Sequence, residues 1–424
     1  MSQPRVNFQS FSRITYWFLG VLAVVIQFLV QLSLGTMIDD VSISFQLNAS
    51  QSGLLAGAYY PVYCLMQAPS GLLVSHFGAR RVLCFGLALA GMTKLVFALA
   101  PWFWLVLICR LFLGLGLSCC FVSMSAITYQ WFDAKHYGML LGIAETLILI
   151  AIMSMAMWIP KLVIVYGWHT ICLLLALLIL LASTVCYLVL PVEPKVQSRS
   201  MPFKKIFQTF LNTVADYLTQ PVFLSYTVFG GALFAILTVF EGLWSQPFFC
   251  HAWSYPIIES SAANVWLLLG VMCGAPVLGW VAQKTWRHYV MTIIAILQLG
   301  LFYVVITFGH QFSYATIHVL MWILGLMASG YIMGYVILAA LVKVEHRNIV
   351  VGLHNMLVVM PALFIQPLVG WWIDHSLQSN IRLKYVSALN RFDGLLLGML
   401  LSSVCLMIYY CSKKRWPIKN LEPL

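Results

Sequence analysis

A chain of 424 residues that is 62% hydrophobic and only 8% charged, with a mean hydropathy of +0.94, cannot clothe itself in a water-soluble surface, which takes roughly a quarter charged residues. Its formal net charge of +11 would suit nucleic acid if the cations formed one patch, but they stand in short groups where apolar stretches end. Composition and charge therefore exclude a soluble enzyme and set nucleic-acid binding aside in favour of an integral membrane protein.

A spanning helix takes about 20 mainly apolar residues. Twelve such stretches follow one another, at 15–37, 51–74, 82–100, 103–124, 139–160, 169–190, 222–245, 261–282, 289–309, 314–340, 349–373 and 393–411. The first is too long for a removable signal peptide and lacks a small-residue cleavage site, so it is predicted to be the first transmembrane helix. After the sixth stretch the longest polar interruption, 192–220, carries Pro194, Pro202, Lys195, Arg199, Lys204 and Lys205. It reads as a cytoplasmic linker between an N-terminal half (1–191) and a C-terminal half (221–424). Within it, Phe203–Phe210 puts aromatics on one face and lysines on another, the pattern either of a short helix lying on the membrane surface or of a plain solvated linker. Most of the eleven cysteines fall inside spans, so no disulfide framework and no metal cluster is expected.

Cytoplasmic loops collect Lys and Arg, and the 23 cations are lopsided. Seventeen fall on one side: Arg5, Arg13, Arg80, Arg81, Lys135, Lys195, Arg199, Lys204, Lys205, Lys284, Arg287, Lys343, Arg347, Lys413, Lys414, Arg415 and Lys419. The other six, Lys94, Arg110, Lys161, Arg382, Lys384 and Arg391, lie inside spans or beyond them. Both termini are therefore expected in the cytoplasm.

The two halves repeat. Gly71, Ser75, His76, Gly78, Arg80 and Arg81 close the second stretch, and Gly279, Gln283, Lys284, Trp286 and Arg287 close the eighth about 208 residues later. Likewise Lys135, His136 and Gly142 before the fifth helix match His346, Arg347 and Gly352 before the eleventh. The fold class is thus an all-α membrane protein of twelve transmembrane helices in two six-helix pseudo-repeats, an arrangement that parallel transporter repeats take with the solute site near the midplane.

The loop from Gly71 to Arg81 resembles the signature loop of the major facilitator superfamily, and Arg110, Gly114 and Gly116 in the fourth helix resemble its second motif. Met66–Gly71, Trp131–Phe132, Gly167–His169, Leu243–Pro247, Gly352–Met356 and Gln366–Trp371 are similar to the phagosomal amino-acid transporter branch of intracellular bacterial pathogens. That resemblance implies import of amino acids, or in some members nucleosides, across a bacterial inner membrane. It also implies gating roles for Ser75, Arg80 and Arg81, and a proton-coupling or structural role for Arg110, whose alternative is a buried organiser of hydrogen bonds. The superfamily loop usually has an Asp where Ser75 stands, and Gln283 takes that place in the second copy. The anionic latch on the facing helix end is expected to be weaker for it. The branch often has charges near Gln27 and Gln31, where this chain has amides.

Ionisable groups within spans cost about 2.5 to 3.5 kcal/mol each on insertion scales, so each needs a partner, a wet cavity or a task. Glu145 is a candidate for proton coupling or solute contact, against a structural partner. Glu241, with Trp244 three residues on and so on the same face, is a candidate proton carrier or solute contact, against a solvated acid near the interface. Asp40, where the branch tends to have an acid, is a coupling candidate or a loop carboxylate. Lys94 is expected to snorkel outward. Gln27 and Gln31, four apart, share a helix face and either bind a zwitterion or bridge helices. Asn355 matches Glu145 at the repeat offset and is preferred over His354, while His318 reads as a packing group. Trp102, Trp104, Trp168, Trp371 and Trp372 are expected as interfacial anchors.

No phosphate-binding Gly-x-x-x-x-Gly-Lys-Ser/Thr loop, catalytic triad or metal spacing occurs, so no enzyme activity, cofactor or obligate protein partner is expected. The expected partners are a small solute, protons and the lipid bilayer. Secondary import by proton symport leads; export of a drug or siderophore on the same fold, and a non-transporting sensor or scaffold, stand as alternatives.

Overall fold

A computed structural model describes residues 10–192 and 203–412. Arg5, Lys195, Arg199, Lys413, Lys414, Arg415, Lys419, Pro194 and Pro202 lie outside the described residues. Twelve spanning helices succeed one another. Eleven are long and apolar enough to cross a bilayer by length and composition. The other is the second, where Gln51, Gln67, Pro61 and Pro69 dilute the apolar run. It starts at a capping box between Asn48 and Gln51, which satisfies two orphan amides at the helix start. It is interrupted at Ala58, giving Ala49–Gly57 and Tyr59–Phe77.

The first span is Ser10–Thr36, the third Ala79–Leu99 and the fourth Phe103–Trp131. The fifth and sixth form one helical trace, Ala134–Val189, turned at Gly167 with φ 76° and ψ 154°. The predicted loop at 161–168 is therefore helical as far as residue 166. A Cβ on Gly167 would meet nothing within 4 Å, so the left-handed backbone and not the available space calls for glycine. A linker helix, Phe203–Leu218, leads to the seventh span, Pro221–Trp253. The eighth to eleventh are Ile257–Val281, Arg287–Phe308, Tyr314–Leu341 and Arg347–Asp374. The twelfth, Ile381–Ser412, begins well before its predicted start at 393. Asn380 Oδ1 accepts from the Arg382 amide at 2.8 Å and caps the helix, carrying Arg382, Lys384 and Arg391 onto it.

Two compact units divide the described chain. The first holds residues up to Asp133 with Leu147–Phe210 and Glu345–Gly352; the second holds Ala134–Thr146, Leu211–Val344 and the residues from Leu353 onward. Each contains a glycine crossing built from the repeated loops. In the first unit Gly71 lies against the backbone of Asn348 and Ile349, and Gly352 against the Gln67 carbonyl. In the second, Gly279 lies against Gly138, and Gly142 against Ala275 and Pro276. A Cβ at any of these five glycines would collide with backbone, so the sequence repeat is a packing repeat. Small residues of this kind let helix backbones approach within the bilayer.

Candidate solute and proton site

In the second unit the two repeat-related candidates meet one helix. The half-buried Glu145 carboxylate is hydrogen-bonded by the Tyr331 hydroxyl. Its neighbour Thr146 donates to the Met272 carbonyl at 2.7 Å, fixing this part of the fifth span to the eighth. Asn355, 6% exposed, accepts at Oδ1 from the Tyr335 hydroxyl at 2.6 Å. Tyr331 and Tyr335 are four residues apart on the tenth span and so share a face, with ring centroids 6.1 Å apart. The acid and the amide are therefore held on successive turns of one helix.

His354 turns elsewhere. Its Nδ1 lies 2.9 Å from Thr227 Oγ1, its ring meets Tyr335 edge-on at 4.4 Å, and Gly230 and Gly334 make room for it. It is fully buried, consistent with adjacent residues on a helix pointing about 100° apart.

Glu241 sits in a nine-residue π-helical segment, Ile236–Trp244, within the seventh span. Its half-buried carboxylate has no hydrogen-bond or ion-pair partner among the described residues. Trp244 does not stand free beside it. Its indole N–H donates to the Gln366 carbonyl at 3.1 Å, and its ring packs over Gly370. Gln366 opens one of the segments that carry the family resemblance but has no role assigned from sequence; the available signal is an amide inside an apolar run, between Pro361 and Pro367.

The first unit holds the remaining candidates. Gln27 is fully buried and its Nε2 donates to the Tyr63 hydroxyl at 2.9 Å. The Oε1 atoms of Gln27 and Gln31 are buried with no partner among the described residues. Tyr63 stacks on Tyr59 at 5.3 Å, and the Arg110 guanidinium stands 5.2 Å from the Tyr59 ring. Arg110 donates to the carbonyls of Leu55 and Ala56, each at 3.3 Å. Those are among the last carbonyls before the interruption at Ala58, so the cation caps the negative end of a helix segment. Lys94 does not snorkel: it is fully buried, with Nζ 4.6 Å from the Phe97 ring and no oxygen acceptor among the described residues. Its stem points into the bundle, which forecloses the outward route. Trp168 is likewise no interfacial anchor; it is buried, and its indole donates to Ser44 Oγ at 2.9 Å.

At the motif loop Arg80 donates to the Tyr187 carbonyl and lies 4.7 Å over that residue's ring, while Arg81 is exposed. Ser75 Oγ is buried without a partner among the described residues. Gln283, at the matching place, donates from Nε2 to the Ala134 carbonyl at 2.9 Å. An amide thus ties the second loop to the start of the fifth span where an acid would have done so by charge. Asp40 is exposed on the short helix Ile38–Ser44. His318 lies 3.7 Å from Glu259 and stacks on Trp266. Among the described residues no group of three or more His, Cys, Asp or Glu could hold a metal ion.

A polar cluster at bilayer depth, carried by a duplicated bundle of spanning helices, is the architecture of a membrane transporter, and comparison with known proteins agrees. The chain is 25% identical over 142 residues to the uncharacterized transporter YybO of Bacillus subtilis (strain 168), a match covering 33% of this chain and 32% of that relative. Over 98% of its length it superposes with a TM-score of 0.55, at 12% identity, on all of a bacterial homolog of the human lysosomal transporter Spinster, solved in an inward-facing and unoccupied conformation. That likeness is one of fold. The family model of the Major Facilitator Superfamily matches residues 17–367, and the chain belongs to that superfamily.

Proposed function

We propose that this protein imports a small polar organic solute, an amino acid or a nucleoside, together with protons, across a bacterial inner membrane with both termini cytoplasmic. The observation that carries the reading is the pairing of Glu145 with Tyr331 and of Asn355 with Tyr335 on one face of the tenth span. A carboxylate at bilayer depth is costly and in such proteins marks an ion or proton path. Ionised, Glu145 can only accept from Tyr331, in a charge-assisted bond; protonated, it gains a donor and keeps acceptor capacity but loses the charge, which weakens that bond. The tie between the fifth and tenth spans then depends on a proton. One turn away, Asn355 spends its oxygen on Tyr335 and keeps its amide N–H groups for a solute carboxylate or carbonyl.

Glu241 and Trp244 in the second unit, and Gln27 and Gln31 in the first, are the further proposed solute contacts. The unpartnered buried oxygens of Gln27 and Gln31 can accept from an ammonium or a hydroxyl. Arg110 and Asp40 are proposed in coupling, and Ser75, Arg80 and Arg81 in gating.

The test uses purified protein in liposomes with the exterior acidified and a panel of labelled amino acids and nucleosides. Gradient-stimulated uptake of at least one panel member, abolished by a protonophore, is the expected result. No uptake of any member would remove the import reading; accumulation of a drug or siderophore in cells lacking the protein would replace it with export.

A further inference from the structure

The π-helical segment of the seventh span is gripped at both ends by one residue. Gln366 Nε2 donates to the Thr238 carbonyl at 2.5 Å, and the Gln366 carbonyl accepts from the indole of Trp244 at 3.1 Å. Thr238 lies near the start of the segment and Trp244 is its last residue. Gly370, one turn beyond Gln366, leaves the space that the Trp244 ring fills: a Cβ there would stand 3.1 Å from Trp244 Cζ2. Gly242 suits the same register, since its Cβ position lies 3.2 Å from the Leu237 carbonyl, five residues back. Long π segments are rare because i→i+5 bonding is poorer than the α pattern, and they persist at functional positions. Something outside the helix must hold one. Between the two grips lies Glu241, a carboxylate without a partner among the described residues.

We infer that Gln366 is a positioning residue: its side-chain amide and backbone carbonyl lock the seventh span in π register and so set where Glu241 points. The inference rests on the proposed role of Glu241 as a solute contact, but its geometry can be tested apart from that role. In α register the residues after Thr238 would turn about the helix axis, carrying Glu241 to a different face.

The experiment uses the full chain in detergent, with Cys411, the exposed Cys273 and Cys405 and the half-buried Cys250 replaced by serine. Single cysteines at positions 241 and 243 are labelled with a methanethiosulfonate reagent, Gly242 being left in place because it suits the register. Leu243 is exposed and Glu241 half-buried, so reactivity is expected to peak at 243. In Gln366→Leu and in the near-isosteric Gln366→Glu, which lacks the amide donor, the peak is expected to shift away from 243. Trp244→Phe keeps the ring and removes the other grip; it is expected to shift the peak too, and it decides the matter if the Gln366 variants do not fold. An unchanged order in every folded variant overturns the inference. Uptake by Glu241→Gln, scored on whichever panel member is transported, reads the solute contact separately. With that solute Gln366→Leu is expected to raise KM and spare kcat. A shifted labelling peak with wild-type uptake in Glu241→Gln would keep the register lock and discard the contact.

Discussion

Arg110 and Lys94 are both buried cations of the first unit, and they differ in what receives them. Arg110 spends two of its donor groups on the Leu55 and Ala56 carbonyls, whereas the Lys94 ammonium faces the Phe97 ring and the weakly accepting Cys172 sulfur, with no oxygen acceptor among the described residues. Hydrogen bonds to charged groups contribute about 1.5 to 3 kcal/mol each, and an unpaired buried charge costs stability. Arg110→Leu should therefore lower the thermal unfolding midpoint in detergent, while Lys94→Met should leave it unchanged or raise it. Equal destabilisation by both would mean that Lys94 has a stabilising partner. The acid and amide candidates Glu145 and Asn355 were legible from the sequence because polar side chains inside spans stand out and the repeat offset relates them. Their partners were not. Tyr331 and Tyr335 read as two among nineteen tyrosines, and only the packing of the tenth span makes them the groups that hold Glu145 and Asn355. Lys94 was misread for a related reason: sequence gives its depth in the span, not the direction of its stem.

At the scale of elements, the two glycine crossings are the physical form of the duplicated loops. Gly352 sits where any Cβ would strike the Gln67 carbonyl. Overpacking a tight contact costs about 1 to 3 kcal/mol, so Gly352→Ala should loosen the crossing and raise amide hydrogen exchange across residues 345–352. Gly300, whose Cβ position is open, is the control; Gly300→Ala should leave exchange there unchanged. If Gly352→Ala also leaves it unchanged, the close approach does not hold this segment. Apolar runs predicted the spans to within a few residues where polar boundaries are sharp. They failed where the boundary is conformational: the turn at Gly167, the early start of the twelfth span at Ile381 and the π register of Ile236–Trp244 all depend on backbone geometry that composition does not encode. The loop latch was half legible. The loss of the acid at Ser75 and Gln283 was plain, but not that Gln283 replaces charge with an amide bond to Ala134.

For the whole molecule, 62% hydrophobic composition and twelve spans leave the bilayer as the solvent, and membership of the Major Facilitator Superfamily makes solute passage the task. In the proposed function its intramembrane ionisable groups carry the coupling, and Glu145, bonded to Tyr331 of the tenth span, is the group proposed to do so. The most direct measurement is solute-induced proton entry into liposomes, followed with an internal pH dye, for the wild type and Glu145→Gln. Addition of a transported panel member should acidify the wild-type lumen. Glu145→Gln should abolish that signal while still exchanging labelled for unlabelled solute across the membrane. Persistent solute-coupled acidification by Glu145→Gln would contradict the account.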